Sequence, residues 1–175
     1  MTTTNDHSGI DPRAFSPEKL EAPRPLPAVG RKALKRVKDR LPKPVTCRYC
    51  NSRVFIAHHK EVYGGLSFGS WPYVYLCESC GAYVGLHDGT DLPLGTLADA
   101  QLRESRKVNK RAFQSLLSIM AMDGIKRTQV YEWLAEKMEM PVSECHWGWF
   151  EREQCKLAGE LCRKKINELS GVLLR

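Results

Sequence analysis

The chain has 175 residues, 42% of them hydrophobic, and carries a net charge of +7, which is enough sequence for one ordinary domain or two small ones. No apolar run is long enough to cross a membrane, and the first residues lack the charged-then-apolar order of a secretion signal. We therefore expect a cytoplasmic protein, in which the seven cysteines serve metal binding and core packing rather than disulfides.

Prolines and basic residues dominate the start of the chain. Seven of the ten prolines fall before residue 45, and such a sequence sustains neither a helix nor an inner strand. We expect residues 1–44 to form a disordered basic arm. Within it, residues 31–41 predict a short basic helix with Ala33, Leu34 and Val37 near one face. Because this helix is too short to be stable alone, we expect it to order only on a partner.

Two Cys-x-x-Cys pairs follow, with residues 51–76 between them. Paired cysteines at this spacing are typical of a tetrahedral zinc site. Asn51 and Gly81 directly follow the two pairs, and both tolerate the left-handed backbone that such a turn needs. Four thiolates leave zinc no open position, so we predict one structural Zn²⁺. Its ligands are Cys47, Cys50, Cys77 and Cys80.

Residues 45–95 predict a small zinc ribbon. Residues 52–59, 71–77 and 82–87 have the composition of three strands, and a glycine-rich loop separates the first two. A sheet of this size has little core of its own. Bound zinc supplies the missing folding free energy, on the order of 10 kcal/mol for structural sites.

Residues 96–175 predict three helices that pack on one another and on the ribbon. The sequence Thr96-Leu97-Ala98-Asp99 resembles a capping box, and the helix it opens should end at Asp123-Gly124. Thr128 is the predicted cap of a second helix that ends at Met138, and a third spans 151–169. The predicted fold class is therefore α+β, a three-stranded zinc ribbon followed by a three-helix segment, with a disordered N-terminal arm.

Basic side chains concentrate in two stretches of the chain. Clustered lysine and arginine predict contact with phosphates or another acidic surface, and the alternative is a solvated tail plus a charged helix face. The predicted nucleic-acid-binding residues are Arg31, Lys32, Lys35, Arg36, Lys38, Arg40 and Lys43 in the arm, and Arg103, Arg106, Lys107, Lys110 and Arg111 in the first long helix.

The aromatic residues of the ribbon have two interpretations. Alternation along the second strand places Trp71, Tyr73 and Tyr75 on one face, and we expect most of that face to be core. Tyr63 and Phe68 lie in the glycine-flanked loop and are better placed to contact a ligand, since aromatic rings stack on unpaired bases.

We predict no catalytic residues. His87, Asp88 and Asp91 lie in a turn-rich connector and have no nucleophile or second metal group at a useful spacing. Neither the metal-binding Asn and His of the His-Asn-His nucleases nor the acidic pair of the transcript-cleavage factors follows the cysteine pairs. Four further residues are interpreted as core rather than as a second metal site. They are Cys145, His146, Cys155 and Cys162.

The order of these elements resembles a known family. After the first cysteine pair and a hairpin come CESCGAYVGLHDGTDLPLGTLADAQLR, a basic helix, RTQVYEWLAEKM and ECHWGWFEREQC. Residues 45–165 are similar to small zinc-finger-containing proteins encoded by bacteriophages and prophages, a family with no established activity. Trp147 departs from the pattern, where a smaller aliphatic residue is expected.

The resemblance implies zinc on the four paired cysteines and a host bacterial cytoplasm. Together with the basic stretches, it leads us to expect a non-enzymatic zinc-binding protein that contacts DNA or RNA. The alternative is an adaptor or inhibitor that binds a host enzyme. We expect no membrane partner and no small-molecule substrate.

Overall fold

The computed structural model describes residues 9–173, with side chains through residue 171. The chain separates into two compact units, residues 1–99 and 100–175. The first contains α1 (Arg31–Arg36) and the strands β1 (Val54–His58), β2 (Tyr73–Cys77) and β3 (Tyr83–Gly85). The second contains α2 (Ala100–Met122), α3 (Arg127–Lys137) and α4 (Arg152–Leu173). The α+β class, the three-stranded ribbon and the three helices that follow it are confirmed.

The three strands form one antiparallel sheet in the order β1-β2-β3. Tyr75 lies opposite Ile56 on one side and Val84 on the other, and Cys77 lies opposite Val54. Since side chains alternate between faces, these five residues share one face of the sheet. All except Ile56 are buried, so this face is part of the core of the first unit.

An N-terminal segment, residues 9–44, completes that core. Leu26, Val29, Leu34 and Val37 are at most 8% exposed and belong to the same hydrophobic cluster as Tyr75. This corrects the expectation of a disordered arm for residues 9–44, while residues 1–8 lie outside the described residues. Apolar side chains spaced between prolines need no regular structure to be buried. They only need an apolar surface, which one face of the small sheet supplies.

Helix α1 forms on this core rather than on a separate partner. It is only six residues long and would not be stable alone in water. Ala33 and Leu34 on its inner face, with Val37 just after its end, are buried. The three apolar positions predicted from the sequence are therefore correct, and the surface that orders them belongs to the same chain.

A buried carboxylate, Asp91, attaches the N-terminal segment to the connector after β3. Arg13 donates to both carboxylate oxygens of Asp91, at 3.0 and 2.7 Å, and Lys43 donates to Asp91 at 2.5 Å. Arg13 also contacts Asp11 at 2.8 Å. Although burial raises the pKa of Asp91, the hydrogen bonds from Arg13 and Lys43 outweigh it, and the pKa lies below its ordinary value. Asp91 is thus a structural carboxylate.

The second unit is built on the pair α2 and α4. Phe113 and Leu116 on α2 and Cys155, Ala158 and Cys162 on α4 are fully buried. These cysteines were predicted at helical spacing, and their burial agrees with a core role. Helix α2 ends as predicted at Asp123-Gly124, where Gly124 has φ +75°. The N–H groups of Gly124 and Ile125 donate to Ala121 and Met120, which satisfies the last carbonyls of the helix.

Two predicted helix starts require correction. Helix α2 begins at Ala100 rather than Thr96, because Ala98 exchanges backbone hydrogen bonds with Tyr83 at 3.0 and 3.2 Å and extends the sheet edge instead. Helix α3 begins at Arg127, so Thr128 lies inside its first turn. Gln129 accepts from the N–H of Lys126 at 2.8 Å, and Lys126 is the cap. Among residues 9–173, no helix is both long and apolar enough to span a membrane.

Candidate metal centre

The two Cys-x-x-Cys pairs adopt the same local structure. In the first, Asn51 donates to Cys47 O at 2.9 Å and has φ +58°. In the second, the equivalent residue is Gly81, with φ +69°. Each turn is closed by the N–H of its first cysteine, which donates across the turn to Ser52 O or Ala82 O at 2.8 Å. The two left-handed positions predicted from the sequence are therefore confirmed. Each one lets the chain reverse directly after the second cysteine of its pair.

The sheet brings the four sulfur atoms together. The first pair precedes β1, the second lies at the end of β2, and the pairing of Val54 with Cys77 places both turns at one end of the sheet. All four Sγ atoms lie within 4.8 Å of one another. The distances from Cys47 to Cys80 and from Cys50 to Cys77 are 3.5 and 3.4 Å. None of the four forms a disulfide.

These distances fit a tetrahedral zinc ion. Four ligands at a Zn–S distance of about 2.3 Å lie roughly 3.8 Å apart, close to the separations between the turns. A disulfide needs about 2 Å between the sulfurs, much shorter than any separation here. The set of four soft thiol ligands therefore forms one structural Zn²⁺ site, with no ligand position left for a substrate.

Backbone and hydroxyl groups donate hydrogen bonds to the cysteine ligands. The N–H of Tyr49 donates to Cys47 Sγ at 3.4 Å. Hydrogen bonds from the hydroxyl and N–H of Ser52 lower the pKa of Cys50 to about 6. The N–H of Ala82 acts on Cys80 in the same direction, but desolvation and the neighbouring thiols raise the pKa of Cys80 to about 12. A bound divalent cation removes the repulsion among the thiolates.

Sequence reasoning missed these donors, although the chain carries a signal for them. Ser52 and Ala82 stand at the same offset, two residues after the second cysteine of each pair. Their N–H groups donate to Cys50 and Cys80 and orient these two ligands. Cys47 and Cys77 are buried and Cys50 and Cys80 are exposed, so the site lies at the edge of the core and closes the end of the sheet.

The basic residues of the N-terminal segment divide into two groups. Arg31 donates to Ser16 O and Glu18 O, Lys43 donates to Asp91, and the Lys35 Nζ lies 5.1 Å from the centre of the Phe15 ring. Arg40 is partly buried. Arg31, Lys35 and Lys43 therefore have contacts within the first unit. All residues of the predicted set in this segment except Arg40 are exposed, and Lys32, Arg36 and Lys38 form the second group.

The basic residues of α2 lie beside its buried face. Arg103, Lys107 and Arg111 follow one another at four-residue steps, and Lys110 lies three positions after Lys107, so the four residues form one stripe. Lys107 is 3.7 Å from Glu104, a contact between two exposed groups that contributes little stability. Arg106 lies at the inner edge of the stripe, where its Nε donates to Phe150 O at 3.0 Å.

The aromatic residues divide as the alternation predicts. Tyr75 is buried, and Trp71 and Tyr73 pack against the same core. Tyr63 and Phe68 are 36% and 54% exposed in the loop between β1 and β2, and their rings meet edge to face, 5.2 Å apart. The loop aromatics are therefore the accessible ones.

Two other groups of residues were considered as sites from the sequence, and neither forms one in the structure. They are His87, Asp88 and Asp91 in the connector, and Cys145, His146, Cys155 and Cys162 in the second unit. Asp91 is held by Arg13 and Lys43, whereas Asp88 is exposed. Burial raises the pKa of Cys145 to about 11 and that of Cys162 to about 12, so both are neutral thiols near pH 7. Within residues 9–173, a group of three or more metal-ligating side chains close enough to share an ion occurs only at the paired cysteines.

Comparison with known proteins identifies one family. The zinc-finger-containing domain, a domain of unknown function, matches residues 43–165. This span begins just before the first cysteine pair and ends within α4, and it leaves out most of the N-terminal segment. No curated protein and no solved structure matches the chain.

Proposed function

The chain belongs to the family of zinc-finger-containing domains, and from this premise we propose that it is a non-enzymatic nucleic-acid-binding protein of bacteriophage or prophage type, acting in the host cytoplasm. The observation that carries the proposal is the basic stripe on α2. Its four residues, Arg103, Lys107, Lys110 and Arg111, lie on one side of a helix whose neighbouring face is buried. A rigid row of cations suits a phosphate backbone better than a flexible tail does.

The metal centre supports a structural rather than a catalytic role for zinc. Four cysteine ligands fill a tetrahedral shell and leave no position for a reactive water. The chemistry proposed for this chain is therefore binding alone. The N-terminal segment presents Lys32, Arg36 and Lys38 as a second group of exposed basic residues, which gives the first unit a phosphate-binding surface of its own.

Salt-dependent binding tests the proposal. Labelled duplex DNA, single-stranded DNA and RNA are titrated with the protein between 50 and 300 mM salt, on the order of the physiological range. Each neutralised phosphate on duplex DNA adds about 0.9 to the slope of log affinity against log salt concentration. We expect a steep slope, lowered by about 2 to 3 in the triple variant Lys107→Gln, Lys110→Gln, Arg111→Gln.

A charge-matched variant controls for net charge. Lys126→Gln, Arg152→Gln and Lys156→Gln remove three exposed basic residues outside the α2 stripe. If the stripe binds phosphate, this variant keeps most of the slope. A flat salt response in the unmodified protein, no binding to any of the three probes at moderate salt, or equal losses in both variants would contradict the proposal.

One observation favours the alternative, a protein-binding adaptor or inhibitor. Tyr63, Leu66 and Phe68 are 36%, 60% and 54% exposed on one short loop, and clustered exposed apolar residues are typical of protein interfaces. A pulldown from host lysate treated with nuclease separates the two functions. A partner that survives nuclease and is lost with Leu66→Ser and Phe68→Ser supports the adaptor.

A further inference from the structure

Residues of α3 and α4 line a small open cavity in the second unit. It has a volume of about 140 Å³. On α3 its wall consists of two residues four positions apart, and on α4 of four residues at positions 161, 164, 165 and 168, so each helix contributes one face. The residues of this Trp133 cavity are Trp133, Lys137, Leu161, Lys164, Lys165 and Glu168.

The cavity has an apolar surface and a positively charged rim. Trp133 and Leu161 are partly exposed and supply the apolar atoms. Lys137, Lys164 and Lys165 supply three positive charges against the single carboxylate of Glu168. A ligand that matches this chemistry has a flat apolar ring and carries negative charge.

The carboxylates near these lysines do not block an anionic ligand. Lys165 lies 3.9 Å from Glu168, and Lys137 lies 3.2 Å from Glu136. Both contacts involve partly or fully exposed groups, and such pairs contribute at most about 1 kcal/mol. A phosphate, which accepts charge-assisted hydrogen bonds from several lysines at once, can therefore replace them.

We propose that the Trp133 cavity binds one unpaired nucleotide, with the base against the Trp133 ring and the phosphate on Lys137, Lys164 and Lys165. This inference rests on the proposed nucleic-acid function and specifies that the bound ligand is single-stranded nucleic acid. The cavity is smaller than the roughly 300 Å³ of a site for a drug-sized ligand, so it holds one ring system. A paired base is stacked within its duplex and does not reach such a site.

A free nucleotide and a nucleotide within a strand both offer a base for Trp133 and a phosphate for the lysines. The test therefore uses three probes, namely a mononucleotide, a single-stranded oligonucleotide of mixed sequence, and the corresponding duplex. We expect the oligonucleotide to bind far more tightly than the mononucleotide, since the basic stripe on α2 adds phosphate contacts that a mononucleotide cannot make. Equal affinities would assign the cavity to a free nucleotide and overturn the single-strand inference.

The decisive variant is Trp133→Leu. Loss of one base–aromatic contact is expected to weaken binding to the oligonucleotide about 10-fold and to leave duplex affinity unchanged. Trp133→Phe, which keeps an aromatic ring, should retain more than half of the single-strand preference. Far-UV circular dichroism of each variant checks that α3 and α4 remain folded.

A lysine pair gives an independent test if Trp133→Leu does not fold. Lys164→Gln with Lys165→Gln should weaken oligonucleotide binding, whereas Lys156→Gln with Lys126→Gln, an equal charge change outside the cavity, should have less effect. Unchanged oligonucleotide affinity in folded cavity variants overturns the inference even if duplex binding persists. Loss of duplex binding in the α2 triple variant but not in the cavity variants separates the proposed function from this site.

Discussion

At the residue scale, Asp91 shows how a polar side chain in a turn-rich connector can hold a fold together. Its side chain is 1% exposed and contacts Arg13 and Lys43, whose side chains are 32% and 40% exposed. Both cations come from the N-terminal segment. Removal of the carboxylate would leave Arg13 with Asp11 alone and would take this contact from Lys43, but both cations would remain in reach of water.

We predict that Asp91→Asn destabilises the first unit by about 2 kcal/mol. This is less than the roughly 3–5 kcal/mol for breaking a wholly buried pair, because Arg13 and Lys43 can be rehydrated. Denaturant unfolding followed by near-UV circular dichroism measures it. Asp88→Asn removes the same charge from an exposed position in the same connector and should change the free energy of unfolding by less than about 0.5 kcal/mol.

The pH dependence of this difference follows from the pKa shifts. The hydrogen bonds from Arg13 lower the pKa of Asp11, and those from Arg13 and Lys43 lower that of Asp91 against the effect of burial. A depressed pKa in the folded state stabilises the fold above the unfolded value and loses that effect as pH falls through the folded value. With zinc in excess, the gap between the unmodified protein and Asp91→Asn should be constant above about pH 4 and shrink below it. A gap that widens on acidification would contradict this assignment.

Sequence reasoning identified the residues whose chemistry depends on spacing and missed those that depend on tertiary contacts. The four cysteines and the two left-handed positions after them follow from local pattern. Asp91 and Arg13 are 78 residues apart, and no local pattern joins them. Asp91 near Asp88-Gly89 is typical of an exposed turn, and only the folded chain shows that it is buried.

At the element scale, α2 and α4 approach closely at one point. A Cβ atom added to Gly159 would lie 2.4 Å from Asn109 Oδ1 and 2.9 Å from its Cβ. Asn109 is buried and its amide donates to Ser105 O at 3.0 Å, so its side chain is fixed. Gly159 therefore sets the separation of the two helices.

We predict that Gly159→Ala destabilises the second unit by about 1–3 kcal/mol, the usual cost of overpacking, even though alanine favours helix by about 1 kcal/mol. Gly171→Ala on the same helix is the control. Its added Cβ meets no atom of the described residues within 4 Å, so this change should be neutral or slightly stabilising. Thermal unfolding of the two variants measures both effects. If Gly159→Ala is as stable as Gly171→Ala, the close approach is not rigid.

The elements themselves were largely predictable, and the differences have a common cause. Strand positions and the end of α2 follow from alternation and from glycine placement. The start of α2 was displaced by four residues because Ala98 pairs with Tyr83, and α1 ordered because the sheet offers an apolar face. In both cases a tertiary contact determined the conformation of a segment whose local preference for helix or strand was weak.

At the scale of the whole molecule, the sheet of the first unit is too small to fold alone, and two features stabilise it. Packing of the N-terminal segment covers one face of the sheet, and the four cysteines close one end. The family match begins at residue 43, so most of the covering segment lies outside the region that defines the family. Of the two stabilising features, the zinc site is the one that lies within the region matched by the family.

The most direct test of the central claim is the zinc content of the purified protein, measured by elemental analysis together with circular dichroism. We predict about one zinc per chain, and loss of both the zinc and the first unit's fold in Cys77→Ser, because structural zinc contributes on the order of 10 kcal/mol to folding. Cys162→Ser, in the core of the second unit, should keep the zinc. Less than about half a zinc per chain without chelator, or full zinc in Cys77→Ser, would contradict the account.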